Sequence, residues 1–263
     1  MGLLDEIFFR CRKHLRFLLL CTLLPTLLAG MLSLLLPKYY LSQTSVLPVN
    51  SRLSDKARFT GEEIAELYSA FGNGDDLDRI FAAAQSADVY RKLTDSFRLV
   101  DHYRLQAKGK AAPELAAKAL RKRSEIRKSE YGEMQVRVWD RDPLLAASMA
   151  NAIVAEVERM HHELYRSFYA GSLASLERER ALRVTGSDSL SEATDELYLK
   201  NIADFSMAMN HPPPAVMVIE QAVPAVKADR PKLWLNLAAT FLVSCFAAVA
   251  AILLFTKPLT TGS

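Results

Sequence analysis

The sequence predicts an α+β fold: two terminal transmembrane helices flank an outer domain built from a small membrane-proximal sheet and a long helical arm. Three observations predict it. Phe17–Leu36 and Leu233–Phe255 carry no charge, and each reaches the roughly 20 apolar residues a helix needs to cross a bilayer. Strand-like segments stand at both ends of the region between them, while its middle is helical in pattern. One helical stretch, 143–184, runs without an internal proline.

The first apolar run is longer than the core of a cleavable signal peptide. It ends in LLLPKYY with no small-residue cleavage site, so we read it as a retained span. Arg10, Arg12, Lys13 and Arg16 precede it, and Lys257 follows the second run. Short basic flanks favour the cytoplasmic side, which predicts the segments 1–16 and 256–263 inside, spans at 17–36 and 233–255, and the domain 37–232 outside. Of the 33 basic and 30 acidic residues, five and two lie outside 37–232, so that domain has no net charge. A neutral domain is not the electrostatic footprint of a general nucleic-acid binder. Cys11, Cys21 and Cys245 lie in or beside the spans, so no disulfide framework is expected for the outer domain.

Within it, Pro37 ends the first span, and YYLSQTSVLPV reads as a strand from its β-branched and aromatic residues. Thr60 and Glu63 form a capping box ahead of GEEIAELYSAF. GNGDD, 72–76, reads as a turn, with LDRIFAAAQ and ADVYRKLTDSFRL as helices after it. Residues 104–128 hold nine Lys or Arg against Glu114 and Glu125. The reading is a solvated helix face beginning near Pro113, rather than a patch for an acidic polymer. EMQVRVW alternates apolar Met134, Val136 and Val138 with Gln135 and Arg137, as a half-buried strand does.

Asp142 is then a good N-cap and Pro143 suits the first helical position. Met149, Ile153, Val157, Met160, Leu164 and Phe168 form one apolar stripe that needs a returning helix, a neighbouring subunit, or both. TGSDS breaks this helix, EATDELYLKNIADFSMAM returns, and NHPPP ends the return. AVMVIEQAV is a third strand, leading through Pro224 and Pro231 to the second span. There Ser244–Ala248 and Ala247–Ala251 are small-xxx-small pairs that permit close helix approach.

Reaction chemistry finds no motif. There is no P-loop, H-E-x-x-H or G-x-S-x-G. His161 and His162 are adjacent, so they leave different sides of a helix and read as polar positions on an exposed arm. We expect no enzyme activity, no catalytic residue, no cofactor and no metal.

Three stretches carry a family likeness. SADVYRKLTDSFRLVDHY, VRVWDRDPLLAASMANAIV and AVMVIEQAVPAVKADRPK, in that order between two spans, resemble the polysaccharide co-polymerases, the Wzz-type chain-length determinants. The proline segment keeps Pro224 and Pro231 and lacks the middle proline common in that family. The resemblance is to a short form without a kinase domain. It implies a two-pass protein of the bacterial inner membrane with a periplasmic main domain, acting as a homo-oligomer. It implies a polysaccharide polymerase as partner, with the polymer chain or an outer-membrane export protein as further contacts, and no nucleic acid. The implied role is to set the length of O-antigen or a related surface polymer. Export of capsule or exopolysaccharide shares this architecture, and a partner-coupled two-span sensor is a third reading. On these expectations the residues to follow are Asp142, Pro143, Pro224, Pro231, Ser244 and Ala248.

Overall fold

The structure is a computed structural model, and it describes residues 12–50, 71–106, 109, 111–185, 192–212 and 214–255. The chain divides into two compact units, Met1–Tyr40 with Val226–Ser263, and Leu41–Ala225.

In the first unit, α1 (Leu15–Leu35) packs on α8 (Leu233–Phe255). Both are long and apolar enough to cross a membrane. Most of their large side chains face outward, as lipid-facing residues would, while Thr22, Ser33, Ser244, Ala248 and Ile252 are buried. Gly30 marks the closest approach: a Cβ there would stand 3.3 Å from Leu237 Cδ2. Asn236 Nδ2 donates to Ser33 Oγ at 3.3 Å, a polar tie between the helices.

The second unit holds a four-stranded sheet in the order β2-β3-β1-β4. Its strands are β1 (Tyr40–Pro48), β2 (Ser124–Lys128), β3 (Met134–Asp140) and β4 (Val216–Glu220). β1 and β4 are antiparallel, with Val46 opposite Val218 and a register shift between Ser45 and Val46. β2 and β3 form a hairpin with Ile126 opposite Val136. The hairpin turns at Gly132, whose φ of +81° is the left-handed region open to glycine.

Helices α2 (Gly74–Ala84), α3 (Ala87–Ser96), α4 (Leu99–His102), α5 (Ala111–Lys122) and the long α6 (Pro143–Thr185) supply the rest of the core. Val46, Met134, Val136 and Val138 are fully buried in one cluster with Met149, Ile153 and Val157 of α6. Ile80, Val89, Leu93, Leu99 and Leu120 of the shorter helices complete it. α7 (Glu192–Asn210) returns along α6. At roughly 1.5 Å per residue, the 43 residues of α6 span about 64 Å, with no break at Gly171.

The α+β architecture, the apolar terminal helices and the long helix agree with the sequence reading. Several local readings need correction. GNGDD is a helix start rather than a turn, because Asn73 and Asp76 cap one another. Asp76 N donates to Asn73 Oδ1 and Asn73 N to Asp76 Oδ2, both at 3.0 Å. ADVYRKLTDSFRL is not one helix, since Arg98 takes a left-handed φ of 47° and separates α3 from α4. The basic stretch 104–128 holds not only a helix but the unforeseen edge strand β2. Both of its acidic residues are paired, Glu125 with Arg127 and Arg137 and Glu114 with Arg91 of α3, and Lys128 pairs with Asp78. The Thr60–Glu63 capping box and most of TGSDS lie outside the described residues.

Candidate functional site: the clasp between the long helix and the last strand

The site is built where α6 crosses β4. Asp142 precedes α6, and its Oδ1 accepts from Leu144 N at 2.9 Å and Leu145 N at 3.4 Å. Pro143, lacking an N–H, opens the helix where a donor would have no helical partner. Asp142 is itself placed by Asp140, whose Oδ1 accepts from Asp142 N at 3.0 Å.

Asp140 is fully buried. Its Oδ1 meets His102 Nε2 at 2.8 Å, and Arg123 Nη1 stands 3.9 Å from Oδ2. Arg123 lies over the Tyr103 ring, 4.1 Å from its centroid. Burial, followed by the Asp140 charge, pushes the Tyr103 phenol up to about 12. This anchor ties α4 and the end of α5 to the junction of β3 and α6. In the D-R-D-P run the sequence pattern marks only the second Asp, as an N-cap. Nothing local marks Asp140 as buried, since its side-chain partners, Arg123 and His102, lie 17 and 38 positions away in the chain.

Two turns into α6, Asn151 reaches the chain just beyond β4. Its Oδ1 accepts from Ala222 N at 2.9 Å and its Nδ2 donates to Ala222 O at 3.0 Å. Seven residues later, Glu158 accepts from Ala215 N at 2.9 Å and from Val216 N at 3.2 Å. Positions i and i+7 share a helix face, so α6 holds the start of β4 and the chain just beyond its end from one side. Thr44 Oγ1 donates to Glu220 O at 2.7 Å, and Ser42 Oγ to Val223 O at 3.0 Å, from the β1 side. Between these ties lies a cavity of about 340 Å³, lined by residues including Thr44, Asn151, Val154, Glu158, Val218 and Gln221. The clasp satisfies strand donors that a neighbouring strand would otherwise take. Its chemistry is mechanical: it fixes β4 to the long helix.

His161 and His162 are half-buried rather than exposed. His162 Nε2 is 3.0 Å from Glu158 Oε1, and the His161 ring lies tilted against that of Tyr165, with centroids 4.5 Å apart. Among the described residues, no group of three His, Cys, Asp or Glu could hold a metal ion. Glu156 lies between Lys92 Nζ at 3.4 Å and Arg159 Nε at 2.8 Å. Burial works to raise its pKa, but the Arg159 hydrogen bond and charge, with Lys92, bring it below the ordinary glutamate value.

The apolar stripe divides at this level. Met149, Ile153 and Val157 are buried and Met160 packs at the margin of the core. Leu164 and Phe168 are 66% and 68% exposed. α7 covers another side of α6, through Tyr169 against Phe205 at 5.6 Å and the two-pronged Arg180–Asp195 pair at 2.7 and 3.0 Å.

The six residues singled out from the sequence do not converge. Asp142 and Pro143 start α6. Pro224 lies exposed, one residue before the end of the second unit, and Pro231 lies in the first, two residues before α8. Ser244 and Ala248 are buried within the single chain, in the unit where α1 covers α8. Asn151, Glu158 and Asp140 were missed; an Asn and a Glu seven apart on a helix are too common to signal a strand clasp.

No family model and no curated protein matches the chain. Among solved structures, it is similar to a full-length bacterial polysaccharide co-polymerase at 11% identity, covering 94% of this chain and 95% of that one, with a TM-score of 0.43. It is also similar to a fragment of WzzB, a polysaccharide co-polymerase from Salmonella Typhimurium, at 12% identity, covering 74% of this chain and all of that one, with a TM-score of 0.38. At these scores and identities no residue role is carried over.

Proposed function

We propose that this chain is an oligomeric, two-pass inner-membrane scaffold that regulates the chain length of a surface polysaccharide made by a separate membrane polymerase. In this reading 37–232 is the periplasmic domain, 17–36 and 233–255 are the spans, and both short flanks are cytoplasmic. The protein acts by assembly rather than catalysis, with a second copy of itself and the polymerase as its partners.

The observation that carries the reading is the divided stripe of α6. Its first half is buried on the sheet, while Leu164 and Phe168 stand uncovered beyond it although α7 already lies against the helix. Large apolar groups repeated along an exposed helix mark an association surface. The sequence resemblance supplies the polymer, and the clasp supplies a route from that surface to β4 and the chain leading into α8. The test is a deletion strain of the source bacterium, with surface polysaccharide resolved by length on a gel. Loss of a preferred length with polymer still present supports the reading. Loss of surface polymer altogether indicates an export adaptor instead.

A further inference from the structure

We propose that the outer ends of the two spans form a binding site for the phosphate of anionic phospholipid headgroups. The site lies wholly in the unit that holds α1 and α8. Tyr39 and Arg230 form a single antiparallel bridge: Tyr39 N donates to Arg230 O at 3.0 Å, and Asp229 N donates to Tyr39 O at 2.8 Å. This ties the segment leaving α1 to the one entering α8 and brings their charges together. Lys38 precedes Tyr39, and Lys227, Arg230 and Lys232 surround the other half of the bridge. All four are exposed. Asp229 is the one acidic residue in 36–40 and 226–236, and it stands 3.9 Å from Arg230. The collar therefore carries an excess of three positive charges.

What lies beside it specifies the ligand. Trp234 is 87% exposed, and Leu36 and Leu235 are also outward. A cationic ring above an apolar band, with an indole and a phenol at the boundary, is complementary to a phosphate above acyl chains. A free anion would gain nothing from the apolar half. Basic residues are usual on the cytoplasmic flank; here the flank that the topology places outside is basic as well, so orientation does not account for these cations.

The inference rests on the two-span reading, and one preparation separates the two. Full-length protein is first tested for extraction from membranes by detergent. Recovery in the aqueous fraction without detergent overturns the spans and the inference with them. Extracted protein is then offered equal amounts of phosphatidylglycerol and phosphatidylcholine with identical chains, and bound lipid is counted by native mass spectrometry. Wild type should retain phosphatidylglycerol preferentially. K227Q/R230Q/K232Q should reduce that preference by about tenfold or more, while K227R/K232R and the opposite-end variant R12Q/K13Q/R16Q should keep it. If the triple variant does not fold, K227Q and K227Q/K232Q should lose the preference stepwise. An unchanged preference in the neutralised variants overturns the proposal. Displacement of bound lipid by millimolar inorganic phosphate also overturns it, because the site would then take free phosphate.

Discussion

Asn151 grips Ala222 through both polar ends of its amide, accepting from the backbone N–H at 2.9 Å and donating to the carbonyl at 3.0 Å. The side chain thereby imitates one rung of a β-ladder and joins α6 to the chain just beyond β4. Ala222 is buried, so truncating Asn151 leaves a donor and an acceptor without their partner. Asn151→Ala should cost about 1–3 kcal/mol and lower the melting temperature of the solubilised protein. Asn151→Asp keeps the acceptor but sets a carboxylate oxygen against the Ala222 carbonyl, so it should also melt below wild type. Equal melting of all three would remove the clasp from the account.

The start of α6 depends on one carboxylate. Asp142→Ala removes the acceptor for Leu144 N and Leu145 N and should cost about 1 kcal/mol. Asp142→Asn should recover most of it. Thermal melts of the three proteins decide the matter, and an unshifted Ala variant would mean that Pro143 and Asp140 suffice to start the helix.

Glu156 should give a pH-dependent contribution of known sign. Its folded pKa lies below the unfolded value, so the stability it adds is fully present above the unfolded pKa of about 4.3. That stability is lost as pH falls through the lower folded value. Glu156→Gln should therefore destabilise by about 1 kcal/mol at pH 7, and the gap to wild type should close below about pH 4. Chemical denaturation at the two pH values measures it. A constant gap would mean that shape rather than charge matters there.

How much of this was legible in the sequence varies with the range of the interaction. The two apolar helices, β1, β3 and the Asp142–Pro143 start of α6 depend on neighbours within a few residues, and local pattern suffices for them. β2 was hidden because SEIRK has one apolar residue, Ile126, and is a strand only through its register with Val136. Asn73 was read as turn chemistry because a capping box and a turn use the same residue types. The clasp was out of reach: Asn151 and Ala222 are 71 positions apart, and no periodicity encodes a side chain completing another segment's backbone. Ser244 and Ala248 were recognised as small, but their burial within the single chain emerges only from the packing of the unit that pairs α8 with α1.

The proline approach to α8 offers a separate test of coupling. Pro224 and Pro231 restrict φ and offer no N–H, and α8 begins at Leu233. Pro224→Ala with Pro231→Ala should leave expression and assembly unchanged but alter the polymer length distribution. A wild-type distribution at normal protein level would reduce the segment to a connector.

The central claim is that assembled copies of this chain set polymer length, and Leu164 and Phe168 test it most directly. Both are exposed on α6 beyond the core, so L164E/F168E should fold with unchanged helix content while the solubilised protein falls from an oligomer to a monomer. The measurement is the length profile of surface polysaccharide in a strain carrying that variant in place of the wild type, with protein level matched by immunoblot. The account predicts polymer of unregulated length, as in the deletion strain. A wild-type length profile from a variant shown to be monomeric would contradict it.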